Sequence, residues 1–161
     1  MTKAFYSFHF DRDVSRVSQV RNMGVISGDQ LINDNSWEQI KRGGGTEISN
    51  WIKRQMGACN VVIVLVGRET ASRPWVDYEI KHAWNSGKPV FGIAIHGLKN
   101  LSGLVDSAGP NPFMNIKMEG SGVLGDHVPL YNPAGADSKQ VYATIEANLI
   151  KWIAAAPKRK I

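Results

Sequence analysis

Val61-Val62-Ile63-Val64-Leu65-Val66 is an unbroken apolar run; the polar loop Gly67 to Arg73 follows it, then Pro74-Trp75-Val76-Asp77-Tyr78-Glu79-Ile80. A run without alternation is covered on both faces, as in a parallel sheet. A buried strand, a loop and a helix carrying an acidic residue is how open α/β sheets build a site at a strand's carboxyl end. Pro74 suits the first helical turn, where its missing N–H is not needed. Val76, Ile80, Ala83 and Trp84 recur at i, i+4, i+7 and i+8, which predicts a core-facing stripe. Trp75 and Glu79 share an adjacent stripe, and Asp77 with Lys81 forms a solvent-side pair. Glu79 is thus expected beside the core and an aromatic neighbour. The ordinary alternative is a helix-surface carboxylate. The company of Trp75 and Tyr78 near a strand end speaks for a site.

Outward from this unit the chain alternates. Lys3 to Phe8 reads as a first strand. Asp11 or Asp13 is the expected cap of a helix with Val14, Val17 and Val20 on one face and Gly24 as its stop. Val25-Ile26 or Leu31-Ile32 supplies the second strand. Asp34-Asn35-Ser36 caps a short helical piece, Trp37 to Lys41. Gly43-Gly44-Gly45 reads as a flexible joint; it lacks the Gly-Lys-Ser/Thr ending of a phosphate loop. Thr46 is the expected cap of a helix to Met56 with Ile48, Trp51, Ile52 and Gln55 on one face. Val90 to Ile95 is the next strand. Residues 97–136 are rich in Gly, Pro, Asn and Ser, mostly loop, with a rigid turn at Gly109-Pro110-Asn111-Pro112-Phe113 and an edge strand near Val128 to Tyr131. Asp137 or Ser138 caps a last helix, with Val141, Ile145, Leu149, Trp152 and Ile153 as its docking stripe. Strand and helix in alternation predict an α/β fold with a parallel sheet and helices on both faces.

At 161 residues, the expected organisation is a single domain over 1–156 followed by a basic tail, 157–161. Apolar residues make up 43% and charged residues 20%, the balance of a globular protein. No apolar run has the length of a membrane span, and Met1 to Phe5 does not read as a signal peptide, so a cytoplasmic location is expected. Cys59 is the only cysteine. His9, His82, His96 and His127 lack paired ligand spacing, so no metal is expected. The net charge of +5 owes part of its excess to Lys158-Arg159-Lys160. No helix face is lined with Lys and Arg and no aromatics interleave with them, which ranks nucleic acid low as a partner.

In this topology the loops after the first and third strands open on one edge of the sheet. Ser7, Phe8, His9, Phe10 and Asp11 are thereby brought towards Trp75, Tyr78 and Glu79. Aromatics for stacking, hydroxyl and carboxylate groups for sugar hydroxyls and one glutamate suit a nucleoside or dinucleotide. Its glycosidic bond would break through an oxocarbenium-like state that a carboxylate stabilises. Capping is an equal reading of Asp11. His82, three after Glu79, either tunes that carboxylate or is a surface residue.

Ala4-Phe5-Tyr6-Ser7-Phe8 resembles the first-strand signature of TIR domains, and Trp75-Val76-Asp77-Tyr78-Glu79 matches their W-x-x-x-E helix. Gly109 to Phe113 narrows the resemblance to the TIR-like proteins of bacterial Thoeris anti-phage systems. His9 stands where a small polar residue is usual. The resemblance implies a flavodoxin-like three-layer fold with a mostly parallel sheet of about five strands. It also implies cleavage of NAD+ at the nicotinamide–ribose bond, with NAD+ as substrate and no further cofactor. The ADP-ribose part becomes a signal, a cyclic isomer or related conjugate, that activates a separate effector. The catalytic glutamate falls on Glu79. Substrate contacts fall on Ser7, Phe8 and Asp11, while Trp75 and Tyr78 shape the pocket. Self-association is the family's habit, and a non-enzymatic adaptor acting through it is the alternative. A receiver-type module fits poorly, because the third strand ends Val66-Gly67-Arg68 without a phosphorylatable aspartate.

Overall fold

The computed structural model describes residues 2–24, 27–28 and 44–160. Among them five strands form one parallel sheet: β1 (Lys3–Ser7), β2 (Ser27–Gly28), β3 (Val61–Val66), β4 (Val90–Ala94) and β5 (Leu130–Tyr131). Their order is β2-β1-β3-β4-β5. The chain therefore reverses direction across the sheet between β1 and β3, the place where open α/β sheets bind ligands. The β1–β3 register pairs Ala4 with Val61 and Ser7 with Val64.

Two helical layers cover the sheet. On one side lie α1 (Phe10–Arg21) and α4 (Ser138–Ala155). Val17, Val20, Val141, Ile145, Leu149 and Trp152 there meet Ala4, Tyr6, Ile63, Leu65, Phe91 and Ile93. On the other side lie α2 (Gly44–Gly57) and α3 (Pro74–Asn85). Their Ile48, Ile52, Met56, Val76, Ile80 and Ala83 meet Phe5, Val62, Val64, Val66 and Val90. Every residue of β3 is buried, as its unalternating sequence requires. The predicted stripes of α3 and α4 face the core, and Asp77 pairs with Lys81 Nζ at 2.8 Å on the wet side.

Several expected helix starts move. Phe10, not a residue after Asp11 or Asp13, opens α1, and His9 caps it with Nδ1 accepting from Arg12 N at 3.0 Å. Asp11 is exposed and Asp13 is fully buried, so neither is the cap. Gly44 and Gly45 lie inside the first turn of α2 instead of forming a joint, and Thr46 is an interior residue. Burial of Ile48, Ile52 and Met56 outweighs the poor helix propensity of the two glycines. Asp137 caps α4 as predicted, accepting from Gln140 N at 2.9 Å. The readings at Val25-Ile26, Leu31-Ile32, 34–41 and Gly43 lie outside the described residues.

The later part of the long segment after β4 is packed against the core through Phe113, Ile116, Leu124 and Val128. Asn111 Oδ1 accepts from Phe113 N at 2.9 Å and starts a short 3-10 turn, Pro112–Asn115. Phe113 is wholly buried, and its ring fills the space a side chain on Gly92 would need. Gly109 lies against the loop after β3 so closely that a Cβ would overlap the carbonyl oxygens of Gly67 and Arg68. The Pro157 carbonyl accepts from Val90 N at 2.9 Å, while Lys158, Arg159 and Lys160 are exposed. No described helix is long and apolar enough to cross a membrane.

Candidate active site at the carboxyl end of the first strand

Strand alternation sends Ala4, Tyr6 and Phe8 to the α1–α4 side of the sheet, and Phe5 and Ser7 to the α2–α3 side. Ser7, the last residue of β1, is fully buried. Its hydroxyl donates to Glu79 Oε1 at 2.8 Å across 72 residues of sequence. Glu79 is 8% exposed, on the flank of α3 that the Val76–Ile80–Ala83 stripe turns inward. The helix is fixed from both ends. Pro74 opens it after the loop, and Ser86 N and Gly87 N close it on the carbonyls of His82 and Trp84.

Burial pushes the Glu79 carboxyl up to about 8, and the Ser7 hydroxyl pulls in the opposite direction. The first effect withdraws water from the charged form; the second hydrogen-bonds that form and favours it. A carboxyl group poised near neutral pH, hydrogen-bonded and nearly dry, is a common mark of a reactive centre. His82 does not tune it. Its ring stacks on Tyr78 with centroids 6.1 Å apart, and its own affinity for a proton is lowered by burial and by Lys53.

Trp75 and Tyr78 meet edge to face at 5.4 Å and pack on the core of the α2–α3 layer, the side that holds Glu79. Phe8 and Phe10 form a second aromatic pair at 6.1 Å, and Phe8 packs on the opposite core. The structure thus joins Ser7 to Glu79, Trp75 to Tyr78 and Phe8 to Phe10. It leaves His9 as a helix cap and Asp11 at the surface. Among the described residues, no group of three or more His, Cys, Asp and Glu is placed to hold a metal ion.

An ionic network beside this edge is absent from the sequence-based expectations. Arg12 grips Asp106 with Nε at 2.7 Å and Nη2 at 3.1 Å, and reaches Glu69 with Nη1 at 2.8 Å. The Arg12 guanidinium holds Asp106 below the usual carboxylate range. One turn along α1, the buried Arg16 donates to Asp13 Oδ1 at 2.9 Å and to the Leu98 and Leu104 carbonyls at 2.7 and 3.0 Å. Burial pushes the Asp13 carboxyl up, against the pull of Arg16. Asp13 and Arg16 are visible in the sequence as an i,i+3 pair, the one available signal; Asp106 gives none.

Comparison with known proteins bears on the family. The family model described as "Thoeris protein ThsB, TIR-like domain" matches residues 5–100, a span that holds both Ser7 and Glu79. A protein of Bacillus cereus (strain MSX-D12) bearing the name "Putative cyclic ADP-D-ribose synthase ThsB1" is 33% identical over 116 residues. The match covers 69% of this chain and 60% of that protein, less than two thirds of the relative's length. With the parallel sheet in the order found here, these matches place the chain: it belongs to the Thoeris ThsB family of TIR-like domains.

Proposed function

We propose that this chain cleaves the nicotinamide–ribose bond of NAD+ and converts the ADP-ribose part into a small signal for anti-phage defence. The product is a cyclic ADP-ribose isomer or a related conjugate, and it activates a separate effector. The observation that carries this reading is the buried Ser7–Glu79 pair at the carboxyl end of β1. The name of the Bacillus cereus relative, a cyclic ADP-ribose synthase, supports the product class.

The chemistry asks little beyond a well-placed negative charge. Nicotinamide leaves with the bonding electron pair, which neutralises its pyridinium nitrogen, so no acid is needed to protonate it. Positive charge then builds on the anomeric carbon and the ring oxygen. Glu79, as carboxylate, stabilises that charge, and in a dry site its field is stronger than in water. Ser7 occupies Oε1 and fixes the carboxylate plane; Oε2 is the oxygen assigned to the ribose. A cationic pyridinium arriving beside Glu79 favours its ionised form, so binding itself promotes the reactive state. The adenine ring of the same molecule, or another nucleophile, then captures the ribosyl cation.

The test compares wild type with Glu79→Gln for nicotinamide release and nucleotide product mass, in purified protein and in lysates of phage-infected cells. Release by wild type alone, with both proteins folded, supports the reading. A fully active Gln variant removes Glu79 from the chemistry. No release in either setting leaves the adaptor.

A further inference from the structure

We propose that Arg12 is a positioning residue: its guanidinium latches together three segments at the carboxyl edge of the sheet and so holds the first turn of α1 in place for substrate. This inference rests on the reading of the Ser7–Glu79 pair as an NAD+ site. Arg12 sits in α1 immediately after Phe10 and Asp11, and its backbone N–H donates to the capping His9. Its side chain leaves that turn and joins two others. Nε and Nη2 hold both oxygens of Asp106, in the segment after β4, and Nη1 holds Glu69, in the loop between β3 and α3. The partners lie 94 and 57 residues away in sequence. One planar fork therefore ties the exits of β1, β3 and β4 to one another.

The Asp106 side chain is 10% exposed and that of Arg12 34%. A two-pronged pair this sheltered holds geometry better than a surface ion pair. Structural anchoring of the same region falls to Arg16, which is 2% exposed and bonds backbone carbonyls at Leu98 and Leu104. Arg12 adds nothing to the hydrophobic core. What it fixes is where the turn bearing Phe10 and Asp11 stands relative to the loop that leads into the Glu79 helix. Lysine could supply the charge but not the fork.

The experiment measures steady-state NAD+ kinetics and amide hydrogen exchange on wild type, Arg12→Ala, Arg12→Lys, Asp106→Asn and the double variant Arg12→Ala/Asp106→Asn. Misplacing a binding turn should raise KM about tenfold in Arg12→Ala and leave kcat within about threefold. Arg12→Lys should fall between. The double variant should fall short of the product of the two single effects, since the two changes share the Arg12–Asp106 contact, although Asp106 also lies 3.9 Å from Arg16 Nη1 and 4.0 Å from Arg68 Nη1. In Arg12→Ala, amides of residues 10–13 and 104–107 should exchange faster while Val61–Val66 stays protected. An unchanged KM, a fall in kcat with KM unmoved, or unchanged exchange at both segments overturns the proposal. If wild type does not turn over NAD+, the functional reading fails. Exchange then decides alone: coupled local loss sustains the latch, and no loss overturns it.

Discussion

A carboxyl group withheld from water titrates where an enzyme can use it, and Glu79 is set this way by two opposing effects. Burial raises its pKa to about 8 and the Ser7 hydroxyl lowers it. If ionised Glu79 is the reactive form, kcat/KM for NAD+ rises with pH and levels off above about 8, because the free-enzyme pKa governs that parameter. Ser7→Ala removes the bond that favours the charged form, so the rising limb moves to higher pH. A pH–rate profile of the two proteins checks this; a limb that stays in place in Ser7→Ala argues against Ser7 as the tuning group. Glu79 itself was legible from the sequence, because Trp75, Tyr78 and the stripe around it fix its face of the helix. Its contact with Ser7 was not. The sequence shows only that two loops share an edge, and which side of β1 each residue takes depends on the strand's register.

At the scale of the element, the loop after β3 is held by shape as much as by bonds. Gly67 N–H donates to the buried Thr70 hydroxyl at 2.8 Å, the Asp13 carboxyl group fills the space a side chain on Gly67 would need, and Gly109 lies close to the carbonyl oxygens of Gly67 and Arg68. Neither glycine has room for a side chain. Gly109→Ala should destabilise the fold by about 1–3 kcal/mol, the ordinary range for forcing atoms into a packed contact, because backbone oxygens are what it meets. Ile80→Ala, in the buried stripe of α3, should destabilise it by about 2–5 kcal/mol. Urea titrations of the two variants test both figures, and a neutral Gly109→Ala would mean that the segment moves aside. Elements with a strong period were readable in advance: β3 from its apolar run, α3 and α4 from their stripes. Helix starts were less so. His9 is a weak-looking cap beside two aspartates, and the two glycines opening α2 look like a linker until the burial of Ile48 and Ile52 is known. The Arg12–Asp106 latch spans 94 residues, with no local pattern to announce it.

For the molecule as a whole, the site sets a pH dependence of stability opposite to that of most surface carboxylates. Glu79 has a folded-state pKa near 8 against an ordinary 4.5, so folding favours its neutral form. That contribution is complete below the unfolded pKa and is lost as pH rises through the folded one. Asp13, also raised by burial, acts in the same direction. Asp106, lowered by Arg12, acts in the other: its contribution is present above the unfolded pKa and is lost as pH falls through the folded one. Glu79 alone is removed cleanly by substitution, since Gln keeps the size and can still accept the Ser7 hydroxyl. At about pH 9, where wild type must hold a buried negative charge, Glu79→Gln should be the more stable protein by a few kcal/mol. Its melting temperature there should be higher by about 5 °C or more, given a chain of this size. At about pH 4, below the ordinary value and with Glu79 neutral in the fold, the two should melt within a degree or two of each other. Calorimetry across that range separates two explanations for an inactive Gln variant. If the variant is dead yet more heat-stable at high pH, then the charge it lacks is one the fold tolerates for the sake of the reaction. If it melts lower at every pH, Glu79 serves the structure and its loss of activity says nothing about chemistry.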